Sequence, residues 1–144
     1  MHDLRGFIAA VRDIINRHEI DKPGAYRRWL WQKGELARDL GLNPYGCADA
    51  ANILYTIGYF PQSPDERQSW VATLRDLQNQ QDGLFYEVTH HPIHTTAHCI
   101  AALELFDAMP AHPLSGLSQY KDPAAMEAFL DQLDWRNNPW RESH

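Results

Sequence analysis

Apolar residues recur at three- and four-residue intervals at the start of the chain: Leu4, Phe7, Ile8, Val11, Ile14 and Ile15. That period is one face of an amphipathic helix, with Arg5, Arg12, Asp13 and Arg17 on its wet side. The pattern breaks at "DKPG", residues 21–24. A second helix is predicted over Ala25–Leu40, with Gly34 able to end or interrupt it, and "GLNP" at 41–44 marks a turn. The next stretch, "YGCADAANILYTIGYF" from Tyr45, is apolar nearly all round, which predicts a helix buried on most sides.

"PQSPDE" follows as a break with Ser63 or Asp65 as candidate N-cap, and "RQSWVATLRDLQNQQ" predicts an amphipathic helix through Trp70, Leu74 and Leu77. "DG" at 82–83 closes it. "HTTAHCIAALELFDAM", from His94, again predicts a buried helix, stopped by "PAHPLSG". "DPAAMEAFLDQLDW", from Asp122, predicts one more amphipathic helix. No segment keeps a strand's alternation for more than a few residues, so the expected class is all-α.

Amphipathic helices therefore alternate with helices apolar on every side, and the alternation repeats. Gly34 and Gly83 lie 49 residues apart, as do Ala48 and Ala97, Leu54 and Leu103, and Pro61 and Pro110. A shared frame of outer helix, glycine turn, inner helix and proline stop predicts an internal repeat of helical hairpins. The same offset pairs Tyr45 with His94 and Asp49 with His98.

On these residues the chain resembles the α/α-toroid superfamily. "LRDLQNQQDGLFYE" followed by "HTTAHCIAALELF" is similar to the repeat of its prenyltransferase and squalene-cyclase branch, in which an Asp-Gly-Gly-Phe-like turn leads into an Ala/Leu-rich inner helix. "QDGLF", Gln81 to Phe85, matches that turn except that Leu84 replaces the second glycine. Glycoside hydrolases and polysaccharide lyases of the superfamily share its barrel of inner and outer helices. The resemblance spans roughly residues 25–142 and implies a partial toroid, residues 1–144 forming one domain. Five to seven hairpins usually close such a barrel, whereas this chain carries about two and a half. The expectation is the N-terminal part of a larger toroid; a chain complete at His144 would instead need another subunit, as a homo-oligomer, to cover its apolar faces.

The candidate chemistry gathers at the predicted N-terminal ends of the inner helices, which in a toroid face the substrate cavity. Helix N-termini favour anions and tend to keep a nearby imidazole neutral, able to act as a general base. Asp49, His94 and His98 are therefore the candidate catalytic residues. Asp49 is costly to bury without a partner, and helix capping is its alternative role. Tyr45, Asn52, Glu87 and His91 are candidate substrate-binding residues, Glu87 also as the second carboxylate of a hydrolytic pair. Trp135, Arg136, Asn138 and Trp140, in "DWRNNPWRESH", join them, because arginine and amide groups suit a carboxylate or hydroxyl-rich ligand.

"EVTHHPIHTTAH", residues 87–98, holds four histidines, and His94 and His98 are spaced to share one ion. Thr95 stands where an HExxH motif has glutamate, and neither Cys47 nor Cys99 has a CxxC partner, so no cofactor and no metal is expected, with zinc as the minority alternative. The two cysteines read as buried, reduced thiols of a cytoplasmic protein.

Composition narrows the partners. Hydrophobic content of 44% with 22% charged residues is that of a globular chain rather than a disordered one. A net charge of −6 without a basic stripe argues against nucleic acid, and no apolar run is long enough for a membrane span. The expected ligand is a small molecule or an oligosaccharide. Three functions follow: a carbohydrate-active toroid (hydrolase or lyase), a non-catalytic scaffold or inactive fragment, and a prenyltransferase- or terpenoid-cyclase-like protein. The last lacks the DxDD and DDxxD motifs of a cyclase.

Overall fold

The computed structural model describes residues 3–34 and 38–137. It is all-helical: α1 (Arg5–His18), α2 (Pro44–Thr56), α3 (Pro64–Asp76), α4 (Pro92–Glu104) and α5 (Pro123–Asp131), with a 3-10 segment at Ser115–Lys121. Extended pairing among the described residues is confined to isolated bridges, including Glu19–Tyr26 and Glu87–His90. No helix among the described residues is long and apolar enough to cross a membrane.

Each helix from α2 onward starts with proline, where the missing N–H costs nothing and the fixed φ already suits the helix. The residue before it caps the first turn. Asn43 Oδ1 accepts from Gly46 N, Ser63 Oγ from Glu66 N, and Asp122 Oδ1 from Ala124 N. Of the two caps expected for α3, Ser63 fills the role and Asp65 sits in the first turn.

The core lies between α2 and α4. Cys47, Ala48 and Ala51 of α2 and Cys99 and Ala102 of α4 are fully buried, and side chains this small let the two helices approach closely. Trp70 and Leu74 of α3, Tyr26, Phe85 and Phe106 close over them. Leu74 and Leu103, both fully buried, each contribute roughly 2 kcal/mol of hydrophobic stabilisation. Helix α1 packs on α2, and α3 on both α2 and α4. Helix α5 packs on the 3-10 segment, with Tyr120 edge-on to Phe129, and has no buried residue.

The helix predicted over Ala25–Leu40 is absent from its described part. Its first residues have their backbone groups committed elsewhere. Ala25 O accepts from Ile20 N, Tyr26 O from Asn43 N, and Arg27 N donates to His18 O. Tyr26 N donates to Cys47 Sγ at 3.4 Å. Those partners in the end of α1 and the start of α2 outcompete the i to i−4 ladder, so tertiary contacts override local propensity.

The hairpins repeat in hydrogen bonds as well as in sequence. At the end of α2, Tyr59 N donates to Leu54 O and Gly58 N to Tyr55 O. At the end of α4, Ala108 N donates to Leu103 O and Asp107 N to Glu104 O, each pair displaced by 49 positions. The turns before α2 and α4 also match. Ile20 N donates to Ala25 O and Asn79 N to Leu84 O, while Tyr26 N reaches Cys47 Sγ and Phe85 N reaches Thr96 Oγ1. The structural counterpart of Gly83 is thus Gly24, 59 positions earlier, and not Gly34. A Cβ on Gly24 would meet Trp70 Cα and one on Gly83 would meet Pro113 O, whereas Gly34 has open space. The connection from α1 to α2 is ten residues longer than that from α3 to α4, which moves the frame from 59 to 49.

Candidate functional site

The first turns of α2 and α4 lie side by side, so residues at the same place in each helix meet. Tyr45 Oη is 2.9 Å from His94 Nε2, and His98 Nε2 is 2.8 Å from Asp49 Oδ1. Both pairs are 49 residues apart. The Tyr45 ring also stacks on His90 at 4.4 Å, lies tilted by 32° at 4.4 Å from His98, and is 7° from parallel to His94. One tyrosine is therefore packed among three imidazoles.

Burial, and then the Asp49 carboxylate, push the Tyr45 phenol above its ordinary pKa, against the opposing charge of Arg28. A phenol kept protonated can donate to His94 Nε2, which calls for the Nδ1–H form of that ring. In the second pair the carboxylate can only accept, so His98 donates from Nε2. A neutral His98 then carries its lone pair on Nδ1. Asp49 sits in the second turn of α2, and the cap of that helix is Asn43, so capping is not its role.

A second group lies beside the first. Glu87, its side chain only 1% exposed, accepts through Oε2 from Thr89 N at 2.9 Å and from Thr89 Oγ1 at 2.6 Å. Arg28 Nη1 lies 3.1 Å from the same oxygen, and His90 Nδ1 lies 3.2 Å from it. Oε1 is buried with no hydrogen-bond partner. Desolvation pushes the Glu87 carboxyl up. The hydrogen bonds from Thr89, that of His90 and the Arg28 charge outweigh it, leaving the group below the usual carboxylate range. Arg28 also lies over the Tyr45 ring, its guanidinium carbon 4.6 Å from the ring centre, and over Trp29 at 4.9 Å. It occupies in the first turn the place that Glu87 holds in the second, 59 positions on.

The expected site residues thus divide. Asp49, His94, His98, Tyr45 and Glu87 come together. Asn52 is half-buried and gives its Nδ2 to Ala48 O of its own helix. His91 is exposed, and its Nδ1 caps α4 by accepting from Ile93 N. Trp135 is exposed and bonded through Nε1 to Leu130 O, and Arg136 is exposed in the following turn. Asn138 and Trp140 lie outside the described residues. Arg28 and Thr89 belong to the cluster without a signal in the 49-residue frame. Aligning "KPGAYRR" with "QDGLFYE" sets Arg28 against Glu87 and would have found the first of them.

Among the described residues, no group of three or more His, Cys, Asp or Glu side chains is arranged to hold a metal ion. The Nε2 atoms of His94 and His98 face Tyr45 and Asp49 rather than a common point. Comparison of the chain with protein-family models, curated proteins and solved structures returns no match.

Proposed function

We propose that the α1/α2 and α3/α4 hairpins are successive units of an α/α toroid that acts on a uronate-containing polysaccharide by β-elimination. The observation that carries this reading is the pair of hydrogen bonds Tyr45–His94 and Asp49–His98 at matched levels of adjacent helices. They set a base and an acid side by side. With Nε2–H held by Asp49, His98 Nδ1 takes the proton from C5 of the uronate, and Asp49 stabilises the imidazolium. The bond from C4 to the leaving oxygen breaks as the C4=C5 double bond forms. Tyr45, kept protonated by burial and by Asp49, turns its hydroxyl proton from His94 Nε2 to the leaving oxygen and gives it up there. Arg28 uses Nη1 for Glu87, which leaves Nε and Nη2 to neutralise the uronate carboxylate.

The state of Glu87 favours elimination over hydrolysis. A hydrolytic pair needs one carboxyl with a raised pKa and access to the glycosidic oxygen. Glu87 is buried, held by Arg28 and Thr89, and its pKa is lowered. The polar lining also suits a sugar better than a prenyl chain.

Incubating the protein with polygalacturonate, alginate, hyaluronan and heparin tests the reading through the ultraviolet absorbance of unsaturated uronate ends. Absorbance that His98→Ala abolishes is the expected result. New reducing ends without unsaturation would turn the assignment to hydrolysis, and intact polymers throughout would remove it.

A further inference from the structure

A cavity of about 180 Å³ lies between α1, the segment that follows it and α2. Ile15, Ala50 and Ile53 give it an apolar wall. Its charged wall is unusual in what is already paired and what is not. Asp49 is held by His98 and Arg28 by Glu87. Arg27 also lines the cavity, has no carboxylate within ion-pair distance among the described residues, and its Nε is buried with no hydrogen-bond partner. A buried donor left unsatisfied costs on the order of 1–3 kcal/mol, so this position rewards an acceptor. His18 stands beside it, its ring fixed by Nδ1 donating to Arg27 O at 3.0 Å.

We infer that this cavity binds a small monocarboxylate with a compact apolar body, the carboxylate meeting Arg27 and the body lying on Ile15, Ala50 and Ile53. The size agrees, because an apolar cavity of about 150 Å³ accommodates benzene. The charge agrees as well: Asp49 is engaged by His98 and Arg28 by Glu87, which leaves Arg27 as the cation on the wall without a counter-charge among the described residues. A charge-assisted bond to the Arg27 guanidinium supplies the counter-charge that this side chain lacks among the described residues. This site does not rest on the elimination chemistry, although Arg28 and Asp49 border both places.

The test is a titration of the full chain with benzoate and with isovalerate, followed by calorimetry and by amide chemical shifts. Saturable binding with Kd on the order of 1 mM or tighter is expected, with shifts centred on Ile15, Arg27 and Ile53. Benzyl alcohol, of the same shape without the charge, should bind about tenfold more weakly. Arg27→Gln should erase that preference, and Ile53→Phe, which fills the space, should abolish binding even if the Arg27 variant fails to fold. Failure of both carboxylates to saturate would overturn the site. So would equal affinity for benzyl alcohol, or benzoate binding that survives Ile53→Phe.

Discussion

Asp49 and His98 occupy the same position on two adjacent helices and meet at 2.8 Å, carboxylate oxygen to ring nitrogen. The pair is half-open to solvent, with side-chain exposures of 45% and 24%. Its contribution to stability is therefore small, at most about 1 kcal/mol. A functional pair should show the opposite balance. Asp49→Asn and His98→Ala are each expected to leave the urea midpoint nearly unchanged while lowering turnover of a uronate polymer by about 100-fold or more. Loss of stability without loss of turnover would mark the pair as structural.

Glu87 should behave in the reverse way. It is buried against Arg28 and Thr89, so Glu87→Gln leaves the arginine without its counter-charge and is expected to cost about 3 kcal/mol, read from urea unfolding. The folded carboxyl titrates below its unfolded value. Its stabilising contribution is thus present above the unfolded pKa, about 4.3, and is lost as pH falls through the folded one. The variant should show a flatter acid limb below about pH 4.5 than the parent protein.

The ends of α2 and α4 carry the same turn with different residues. Gly58 takes φ +79° and Asp107 φ +57°. A left-handed conformation costs a non-glycine residue roughly 1 kcal/mol, and Asp107 offsets part of it through an exposed contact with Arg67 at 3.2 Å. Asp107→Gly is expected to raise stability by about 0.5–1 kcal/mol, and Gly58→Ala, with open space around the new Cβ, to lower it by about 1 kcal/mol. Paired denaturation curves would read both.

The parts of the fold legible in the sequence were those fixed locally. The three- and four-residue spacing from Leu4 to Ile15 became α1, and the segments from Tyr45 and from His94 became α2 and α4. The 49-residue offset set Tyr45 against His94 and Asp49 against His98 as equivalent positions, and the packing of α2 on α4 brings each pair into contact. What stayed hidden was set by distant contacts. "AYRRWLWQK" has helical spacing, yet the backbone of Tyr26 and Arg27 is claimed by His18, Asn43 and Cys47. That same segment carries Arg28, so reading it as a helix also concealed the ion pair with Glu87. Of the adjacent His90 and His91, only His91 is among the substrate-binding residues expected from the sequence. The turn sends the first into the cluster and leaves the second to cap α4.

The reassigned repeat frame has its own consequence for three glycines. Gly24 and Gly83 combine positive φ with close neighbours, an added Cβ meeting Trp70 Cα at 2.7 Å in the first and the Pro113 carbonyl oxygen in the second. Gly34 has positive φ and nothing near it. Gly34→Ala should cost about 1 kcal/mol, the conformational term alone. Gly83→Ala must also displace backbone and is expected to cost well over that, enough to show as a lost thermal transition. Equal costs at Gly34 and Gly83 would restore the frame in which those two are counterparts.

High pH should unfold this protein through its core. Burial pushes the Cys47 thiol up to about 11, and raises Cys99 and the Tyr26 phenol as well. Cys47 and Tyr26 touch through Sγ and the tyrosine backbone, so ionising the thiol places a charge where α2 meets the preceding turn. For these groups the folded pKa lies above the unfolded one. Their contribution is complete below the unfolded thiol value, about 8.5, and declines as pH rises, because only the unfolded chain releases protons there. Stability measured by urea should be level from pH 7 to about 8.5 and then fall, by on the order of 1.4 kcal/mol per pH unit for each group involved. Cys47→Ala is expected to shallow that decline between about pH 9 and 11 by one group's share, while Cys99 and Tyr26 continue to contribute. The parent protein's native thiols should also react slowly with a disulfide reagent at pH 8 and rapidly once urea opens the core. A decline just as steep in Cys47→Ala would take Cys47 out of the account and leave it to Cys99, Tyr26 or groups on the surface.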